Sequence, residues 1–348
     1  MRRRCSAAAG VGLSAGLALV ACAERQVVSD RPSEAATGWT DPSPHQARYV
    51  PVDEGVRLEV LDWGGSGRAV VLLAGSGNTA HVYDELAPLL RDCCHVYGIT
   101  RRGFGASSQP SSGYEDQRLA DDVLAVLASL RILKPVLAGH SMAGGELTTL
   151  GHQHSNRLAG LVYLDAIADP VDAPIYDPGY MSLIERLPAA KRPPPALDYS
   201  SFAAYRASQM THFNYAFPEA ELRNGFHVRA DDGMGRFRTP PEVFTAIGAG
   251  QRKRDYSRIR VPVLAFLEFP RPTYDPRLDG DVANDAERAA IEAAARATAV
   301  WVQKWMDNFT ASVPDARLID VTGAGHYLFL TRPSEVIGEL KAFVTALK

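Results

Sequence analysis

The chain has 348 residues, enough for one large α/β domain with an inserted subdomain or for two smaller domains. Hydrophobic residues make up 46% of the chain and charged residues 22%, which are ordinary values for a soluble globular protein. The net charge of −3 argues against electrostatic binding to nucleic acid or to an anionic membrane surface.

The first residues have the features of a secretory leader. Arginines at positions 2–4 precede an apolar, small-residue run at positions 7–21, which ends in a small-residue cleavage site. This run is short for a helix that crosses a membrane. We therefore interpret residues 1–21 as a signal peptide.

The end of this leader predicts a lipid anchor. Residues 19–22 read Leu-Val-Ala-Cys, which resembles a bacterial lipobox and predicts lipid attachment at Cys22. An ordinary signal peptide with an incidental cysteine is the alternative. Residues 22–48 are polar, rich in proline, serine and alanine, and typical of a tether. We expect an exported protein of the bacterial cell envelope that contacts the membrane only through Cys22, with a periplasmic or secreted protein as the alternative.

A hairpin and a buried strand open the folded part of the chain. Residues 49–52 and 56–62 alternate apolar with polar side chains, which predicts two antiparallel strands. Residues 69–73 are continuously apolar, as expected of a strand that is buried on both faces. The next residues, 74–81, read Ala-Gly-Ser-Gly-Asn-Thr-Ala-His and lack the Gly-Lys-Ser/Thr ending of a phosphate-binding loop.

Helices and strands alternate from there to residue 130. Residues 82–90 predict an amphipathic helix, residues 95–100 a strand, and residues 114–130 a further helix with apolar residues at helical spacing. Cys93 and Cys94 are adjacent and can bridge only with strain, so no structural disulfide is expected between them.

The histidines and cysteines do not suggest a metal site. No group of them has the spacing of a zinc site. His152 and His154, two residues apart near the end of a predicted helix, are interpreted as a solvated pair. No metal ion is therefore predicted.

A sharp strand-to-helix turn is predicted near the middle of the chain. Residues 135–138 have strand character, and residues 146–150 begin a helical pattern. Between them residues 139–143 read Gly-His-Ser-Met-Ala. Small residues two positions before and two positions after Ser141 suit a turn that strains the serine backbone and exposes its hydroxyl. The following helix N-terminus supplies free N–H groups and the positive end of a dipole.

The second half of the chain contains an insertion between strands. Residues 158–164 predict a buried strand with Asp165 at its end. Prolines and aromatic residues are frequent from 168 to 255 and no strand pattern is evident, which predicts a mostly helical cap. We expect most of the aromatic residues of the cap to form the cap's own core and a few of them to line a cleft. The remaining predicted elements are a strand at 259–267, a helix at 286–309, a strand at 316–321 and a helix at 334–347.

A histidine loop follows the last predicted strand and completes a family pattern. Residues 323–327 read Gly-Ala-Gly-His-Tyr. This loop and the turn around Ser141 resemble those of the α/β-hydrolase family, and the resemblance covers residues 50–348. It implies an α/β-hydrolase fold, with a mostly parallel eight-stranded sheet, helices on both faces and an inserted helical cap. The core would comprise residues 49–167 and 256–348, and the cap residues 168–255.

The resemblance implies a catalytic triad in the chain order serine, acid, histidine. Ser141 would be the nucleophile and His326 the base. Asp165 is taken as the acid, because haloalkane dehalogenases and some other branches of the family carry the acid after this strand. The alternatives are Glu268, directly after the penultimate strand, and a later carboxylate at Asp275 or Asp279.

The resemblance also implies an oxyanion hole made by the backbone N–H groups of Ser76 and Met142. Two positions depart from the family pattern. Ala74 stands where the family often has histidine, and Thr100 stands where an aspartate usually begins the turn after the strand. The Thr100 departure puts the salt bridge assumed at that turn in doubt.

Together these features imply a serine hydrolase that cleaves a carboxylic ester, or a related acyl bond, of a small and apolar substrate. No cofactor, metal ion or nucleic-acid partner is implied. The alternatives are a cofactor-free haloperoxidase, a carbon–carbon bond hydrolase, and a binding module on the same fold that has lost turnover.

Overall fold

A computed structural model of the chain describes residues 39–172, 179, 181–182, 197–269 and 284–347. The predicted signal peptide, Cys22, most of the predicted tether, Asp275 and Asp279 lie outside the described residues. Within the described ranges, the helices lack the combination of length and apolar character that a membrane-crossing helix needs.

Ten strands form two sheets in the described part of the chain. They are β1 (Gln46–Asp53), β2 (Val56–Gly64), β3 (Arg68–Leu73), β4 (Cys94–Ile99), β5 (Val136–His140), β6 (Gly160–Leu164), β7 (Phe226–Val228), β8 (Met234–Phe237), β9 (Val263–Leu267) and β10 (Arg317–Asp320). Eight of them form one sheet in the order β1-β2-β4-β3-β5-β6-β9-β10. β2 pairs antiparallel with β1 and β4, and all other neighbours are parallel. The predicted mostly parallel, eight-stranded sheet is confirmed.

Helices connect these strands and follow the last of them. The α-helices described are α1 (Asp116–Ser129), α2 (Gly144–His154), α3 (Phe202–Phe213), α4 (Glu219–Gly225), α5 (Pro241–Gly250), α6 (Asp285–Ser312), α7 (Leu328–Thr331) and α8 (Pro333–Ala346). The helices α3 to α5 lie in the sequence between β6 and β9, where the insertion was predicted.

The central strands are buried on both faces, as their continuous apolar sequences predict. In β3, Val70 and Leu72 belong to one hydrophobic core, whereas Val71 and Leu73 belong to the other. Successive side chains of a strand point to opposite faces, so the two cores lie on opposite sides of the sheet. This double burial fixes the carboxyl ends of β3, β5 and β6, from which the site described below is built.

The helix predicted for residues 82–90 is wrong. Two short 3₁₀ helices occupy this stretch instead, Ala80–Tyr83 and Ala87–Leu90. Pro88 has no N–H group and cannot donate to the carbonyl four residues earlier, which interrupts an α-helix. The backbone uses i to i+3 bonds, such as the one from Leu86 N–H to the Tyr83 carbonyl (3.0 Å).

The absence of strands predicted for residues 168–255 is also wrong. β7 and β8 pair as an antiparallel hairpin in this region. Phe226 and Phe237 face each other across the hairpin with their ring centroids 5.0 Å apart. Asp232 adopts φ = +60° in the connecting turn, and Arg229 N–H donates to the Gly233 carbonyl (2.9 Å). The strands are too short for an alternating pattern to stand out in the sequence.

The surroundings of the adjacent cysteines and of His152 bear on two predictions made from the sequence. Cys93 and Cys94 are free thiols, so the expectation of no disulfide between them is confirmed. His152 is not simply solvated, because its Nδ1 atom lies 3.3 Å from the carbonyl oxygen of Asp255 and 3.5 Å from its carboxylate.

Candidate active site

Ser141 lies on a tight turn between β5 and α2. Its φ angle is +54°, a conformation that costs energy for any residue other than glycine. A methyl group added at Gly139 would lie 2.9 Å from the Ala143 Cβ, and one added at Gly144 would overlap the Ala166 carbonyl oxygen. The small residues around the serine are therefore required by close packing, and the turn places the side chain at the carboxyl edge of the sheet.

The structure brings Ser141, His326 and Asp165 into one chain of hydrogen bonds. The Nε2 atom of His326 lies 2.8 Å from the Ser141 Oγ. Its Nδ1 atom lies 2.6 Å from the Asp165 Oδ2. An ionised carboxylate only accepts hydrogen bonds, so Nδ1 carries the proton and Nε2 is left to accept the serine proton. Two side chains 185 residues apart in sequence therefore have the geometry of a nucleophile and its base.

Asp165 reaches the histidine because of its backbone conformation. It follows β6 directly and has φ = +47°. Its N–H group donates to the Phe266 carbonyl (2.8 Å), which fixes the residue to the neighbouring strand β9. The carboxylate is partly exposed, whereas the His326 side chain is largely buried.

Glu268, the alternative acid, has a different position. Its carboxylate accepts the backbone N–H groups of Gly323 (3.3 Å) and Gly325 (3.1 Å). Glu268 therefore holds the loop on which His326 lies, whereas Asp165 contacts the His326 ring. Asp275 and Asp279 lie outside the described residues.

His140 also holds the histidine loop in place by a hydrogen bond. Its Nε2–H donates to the His326 carbonyl (2.9 Å), and no described residue is a hydrogen-bond partner of its Nδ1 atom. Complete burial lowers the pKa of His140 well below its ordinary value, and the nearby His326 lowers it further. His140 is therefore neutral at physiological pH and leaves the base at His326 without a charged imidazole beside it.

The loop that contains Ser76 lies against the nucleophile. A methyl group added at Gly75 would lie 3.3 Å from the Ser141 Cβ and 2.6 Å from the His140 Nδ1. Glycine at position 75 is therefore needed for this close approach. Ser76 is half-buried, and Met142 is buried beside Val243 of α5. Ser76 therefore follows a glycine that lies against Ser141, and Met142 follows Ser141 directly in the chain.

A buried ion pair holds this loop from the core side. Arg101 binds Glu146 of α2 through two hydrogen bonds of 2.7 and 2.6 Å, and its Nη2–H also donates to the Ala74 carbonyl (2.9 Å). Burial raises the pKa of Glu146 above its ordinary value, and Arg101 opposes this rise. At the position where the family usually has aspartate, Thr100 instead donates to the Glu59 carboxylate (2.8 Å).

A second brace comes from the insertion and was missed by sequence reasoning. Glu221 of α4 is buried, and its carboxylate accepts Asn78 Nδ2–H (2.9 Å), Thr79 N–H (3.1 Å) and the Thr79 hydroxyl (2.5 Å). The Tyr327 hydroxyl donates to Asn78 Oδ1 (3.0 Å), so the network continues to the residue after His326. Burial raises the pKa of Glu221 to about 7, and its hydrogen bonds from Thr79 and Asn78 oppose this shift.

Aromatic side chains of the insertion pack above the histidine loop. The rings of Tyr215 and Phe217 lie 5.1 and 4.9 Å from the ring of Tyr327. Both side chains are buried in the same hydrophobic core as Tyr327. Of the aromatics that the sequence places in the cap, Tyr176 and Tyr180 lie outside the described residues. Tyr215 and Phe217 are packing residues that join the insertion to the histidine loop.

Comparison with known proteins agrees with this architecture. A sequence model described as the alpha/beta hydrolase family matches residues 70–339. The chain is 31% identical over 137 residues to a putative non-heme chloroperoxidase of Synechocystis sp., a stretch that covers 36% of this chain and 50% of that protein. The match therefore spans only half the length of this curated relative.

Solved structures resemble the fold over most of the chain. The structure of E-2-(acetamidomethylene)succinate hydrolase superposes with a TM-score of 0.63 at 18% identity, covering 87% of this chain and 100% of that one. An esterase from Exiguobacterium antarcticum superposes with a TM-score of 0.56 at 19% identity, covering 86% and 100%. At these identities the likeness concerns the fold alone.

Proposed function

Because the chain belongs to the alpha/beta hydrolase family, we propose that it is a serine hydrolase that cleaves a carboxylic ester, or a related acyl bond, of a small apolar substrate. The observation that carries this proposal is the hydrogen-bonded chain from the Ser141 Oγ through His326 to Asp165. Such a chain activates an otherwise weak alcohol nucleophile at neutral pH.

The reaction proceeds in two halves. His326 Nε2 takes the Ser141 proton while the serine oxygen attacks the substrate carbonyl and forms a tetrahedral intermediate. The same imidazolium then gives its proton to the leaving alcohol, and an acyl-serine remains. Water, activated by His326, hydrolyses this ester and regenerates the serine. Asp165 holds the histidine tautomer and stabilises its positive charge throughout.

The developing oxyanion is assigned to the backbone N–H groups of Ser76 and Met142. The position of Gly75 supports this assignment, because a methyl group added there would lie 3.3 Å from the Ser141 Cβ, so the backbone before Ser76 runs close to the nucleophile. Met142 is the middle residue of the 3₁₀ turn Ser141–Ala143, which leads into α2, whose N-terminus favours negative charge. Each such donor is worth about 3 kcal/mol in the transition state.

The apolar character assigned to the substrate follows from the side chains near the nucleophile. Met142 packs with Phe104, Val243 and Ile247 in a small hydrophobic cluster between the turn at Ser141 and α5. Met142 is next to Ser141 in the chain, so this apolar cluster supports an apolar acyl group.

A second candidate function is halide oxidation through a peracid. It is favoured by the relative from Synechocystis sp., which is named a putative non-heme chloroperoxidase. In this reaction hydrogen peroxide, instead of water, would attack the acyl-serine and release a peracid. The same three side chains would serve, so the two functions differ in the second nucleophile.

Labelling of the active serine tests the proposal. A fluorophosphonate probe added to the purified protein is expected to modify Ser141, and p-nitrophenyl esters of short acids are expected to be hydrolysed. Ser141→Ala should abolish both signals, whereas Ser112→Ala, which changes an exposed serine, should leave both intact. Labelling that survives in Ser141→Ala would disprove the assignment. Adding peroxide and bromide with an acyl donor distinguishes peracid formation from simple hydrolysis.

We also propose that the protein is exported and held at the membrane by a lipid on Cys22, as the sequence of residues 19–22 suggests. Cys22→Ala is expected to move the protein from the membrane fraction to the soluble fraction of the cell envelope. Cys93→Ala, which removes a free thiol in the folded part, is the control and should stay with the membrane. Unchanged sedimentation of Cys22→Ala would contradict the anchor.

A further inference from the structure

A second cluster of ionisable side chains lies apart from the triad. Asp41 and His45 belong to the segment that precedes β1. His81 and Asp84 lie on and directly after the short helix Ala80–Tyr83, which follows the Ser76 loop. One potential ligand atom of each residue lies within 4.8 Å of those of the other three. Two stretches of chain that are far apart in sequence thus contribute two side chains each.

Local structure explains why each pair converges. Side chains at i and i+3 of a 3₁₀ helix are nearly eclipsed, and the Asp84 N–H donates to the His81 carbonyl (3.1 Å). His81 and Asp84 therefore project from the same side. Between Asp41 and His45 the chain reads Pro-Ser-Pro, and the two prolines restrict the backbone of this short segment.

The four side chains approach one another closely. His81 Nδ1 lies 2.8 Å from Asp84 Oδ2 and 3.4 Å from Asp41 Oδ2. His45 Nδ1 lies 3.0 Å from Asp84 Oδ1, and its Nε2 lies 3.7 Å from Asp41 Oδ2. Ligand atoms around a tetrahedral zinc ion are about 3.4 Å apart, because each lies about 2.1 Å from the metal. The measured pairs include both ring nitrogens of His45 and both oxygens of Asp84. One chosen atom of each residue lies within 4.8 Å of the other three, and zinc binding would draw these four atoms to the tetrahedral spacing.

The surrounding groups are those that orient metal ligands. His81 Nε2 faces the Glu59 carboxylate at 3.7 Å, so a carboxylate lies behind this imidazole, as it does behind many coordinating histidines. The Trp63 indole N–H donates to Asp84 Oδ1 (3.2 Å). The Ser43 N–H donates to Asp41 Oδ1 (2.9 Å) and leaves Oδ2 facing the two histidines. Hydrogen bonds therefore hold two of the four carboxylate and imidazole ligands, and a third ligand faces a carboxylate.

The charges of the cluster leave room for a cation. The ion-pair partners of Asp41, Asp84 and Glu59 in the described part of the chain are His45 and His81. Even two protonated imidazoles would leave three carboxylates with a net negative charge. The side chains of Asp84 and Glu59 are each 4% exposed, so this charge is largely shielded from water. Buried charges are normally paired or bind metals.

We propose that Asp41, His45, His81 and Asp84 bind one structural Zn²⁺ ion. Two imidazoles and two carboxylates are ligands that zinc accepts, and four protein ligands close the site. The ion fastens the segment that enters β1 to the helix that follows the Ser76 loop. This differs from the expectation that the sequence holds no metal site. The four residues lie on two segments with Asp-x₃-His and His-x₂-Asp spacing, which only the fold brings together.

Zinc titration of the full-length protein tests the proposal. The protein is stripped with a chelator and titrated with zinc chloride by calorimetry. We expect one zinc ion per chain with a Kd below about 1 μM, and a Tm that rises by roughly 5 °C at a hundredfold excess over Kd. Cobalt(II) added instead should give the intense visible absorption of a tetrahedral ion. A Kd weaker than about 100 μM, or an octahedral cobalt spectrum, would overturn the proposal.

Variants identify the binding atoms. His81→Ala and Asp84→Asn should each weaken zinc binding at least about 100-fold, because changes to groups behind the ligands already cost up to that much. His45→Gln, a change in the entry segment, is the backup if either variant fails to fold. His95→Ala removes a histidine that also pairs with an aspartate, Asp62 at 2.8 Å, and should keep the affinity. Unchanged binding in folded His81→Ala and His45→Gln would contradict the site, as would loss of binding in His326→Ala.

Discussion

The two sides of the active site are built in different ways. On the nucleophile side, Ser141 and Asp165 follow directly from β5 and β6, and each has a strained backbone with positive φ. On the oxyanion side, the loop after β3 depends on distant side chains, Arg101 from the core and Glu221 from the insertion. The first side is fixed by strands, and the second is fixed by buried charges.

This difference separates chemistry from positioning. The ends of β5 and β6 fix the positions of the two side chains that would take part in the reaction. A substitution of either side chain would therefore remove a chemical step. In the proposed mechanism the loop after β3 forms no bond with the substrate, and its bracing groups would act by keeping its N–H groups aligned. We therefore expect large losses of kcat from changes on the nucleophile side. Smaller, pH-dependent losses are expected from changes on the oxyanion side.

The largest effect is expected from Ser141→Ala. Removing the nucleophile should reduce kcat for p-nitrophenyl ester hydrolysis by about 10⁶, as in other enzymes whose serine acts with a histidine base. Steady-state kinetics measures this. The folded state should persist, because the alanine removes only a hydroxyl, and circular dichroism checks it. A loss below tenfold would place the nucleophile elsewhere.

The next largest effect is expected from Asp165→Asn. An amide in place of the carboxylate favours the wrong histidine tautomer, and kcat should fall by about 10⁴. Glu268→Gln is the matched control, since Glu268 contacts backbone N–H groups of the histidine loop and not the ring. It should lower kcat far less. If Glu268→Gln proved the more damaging, the role of acid would pass to Glu268.

A smaller effect, with a characteristic pH dependence, is expected from Glu221→Gln. Ionised Glu221 accepts three donors from the loop after β3, and burial raises its pKa to about 7. Protonation removes an acceptor worth about 1 kcal/mol, so wild-type kcat should rise roughly fivefold as pH passes upward through 7. The glutamine variant should lose this rise. Glu242→Gln, an exposed glutamate on α5, is the control and should keep it.

The same residue should change stability in the opposite direction. The folded-state pKa of Glu221 lies above its ordinary value of 4.5, so its contribution is fully present below pH 4.5 and is lost as pH rises to 7. A shift of this size corresponds to about 3 kcal/mol. Urea unfolding at pH 5 and pH 8 should show this loss in the wild type and not in Glu221→Gln. Parallel pH curves for the two proteins would show that Glu221 does not titrate in this range.

The sheet and the reacting residues could be predicted from the sequence, because both depend on local patterns. Continuous apolar runs predict doubly buried strands, and the Gly-His-Ser-Met-Ala stretch predicts the sharp turn at Ser141 from the sizes of its residues. Asp165 was one of several candidates for the acid. Only the fold shows that its carboxylate lies 2.6 Å from the His326 ring, while Glu268 holds the backbone of the same loop.

Other features could not be read from local patterns. Glu221 lies in an ordinary helical sequence, and its contacts with Asn78 and Thr79 span more than 140 positions. The cluster around His81 could not be read from local patterns for the same reason, because its two segments meet only in the fold. The helix expected at residues 82–90 failed because an apolar period does not distinguish an α-helix from two short 3₁₀ helices, the second of which contains a proline. The hairpin β7–β8 was missed because its strands have three and four residues.

The central claim is that the Ser141 hydroxyl, activated by His326, forms a covalent acyl intermediate. Rapid acid quenching of the enzyme during turnover of a p-nitrophenyl ester, followed by peptide mass spectrometry, measures this directly. We predict an acyl group on the peptide that contains Ser141, formed together with a burst of p-nitrophenol. Steady turnover with an unmodified Ser141, or an acyl group on another residue, would contradict the account.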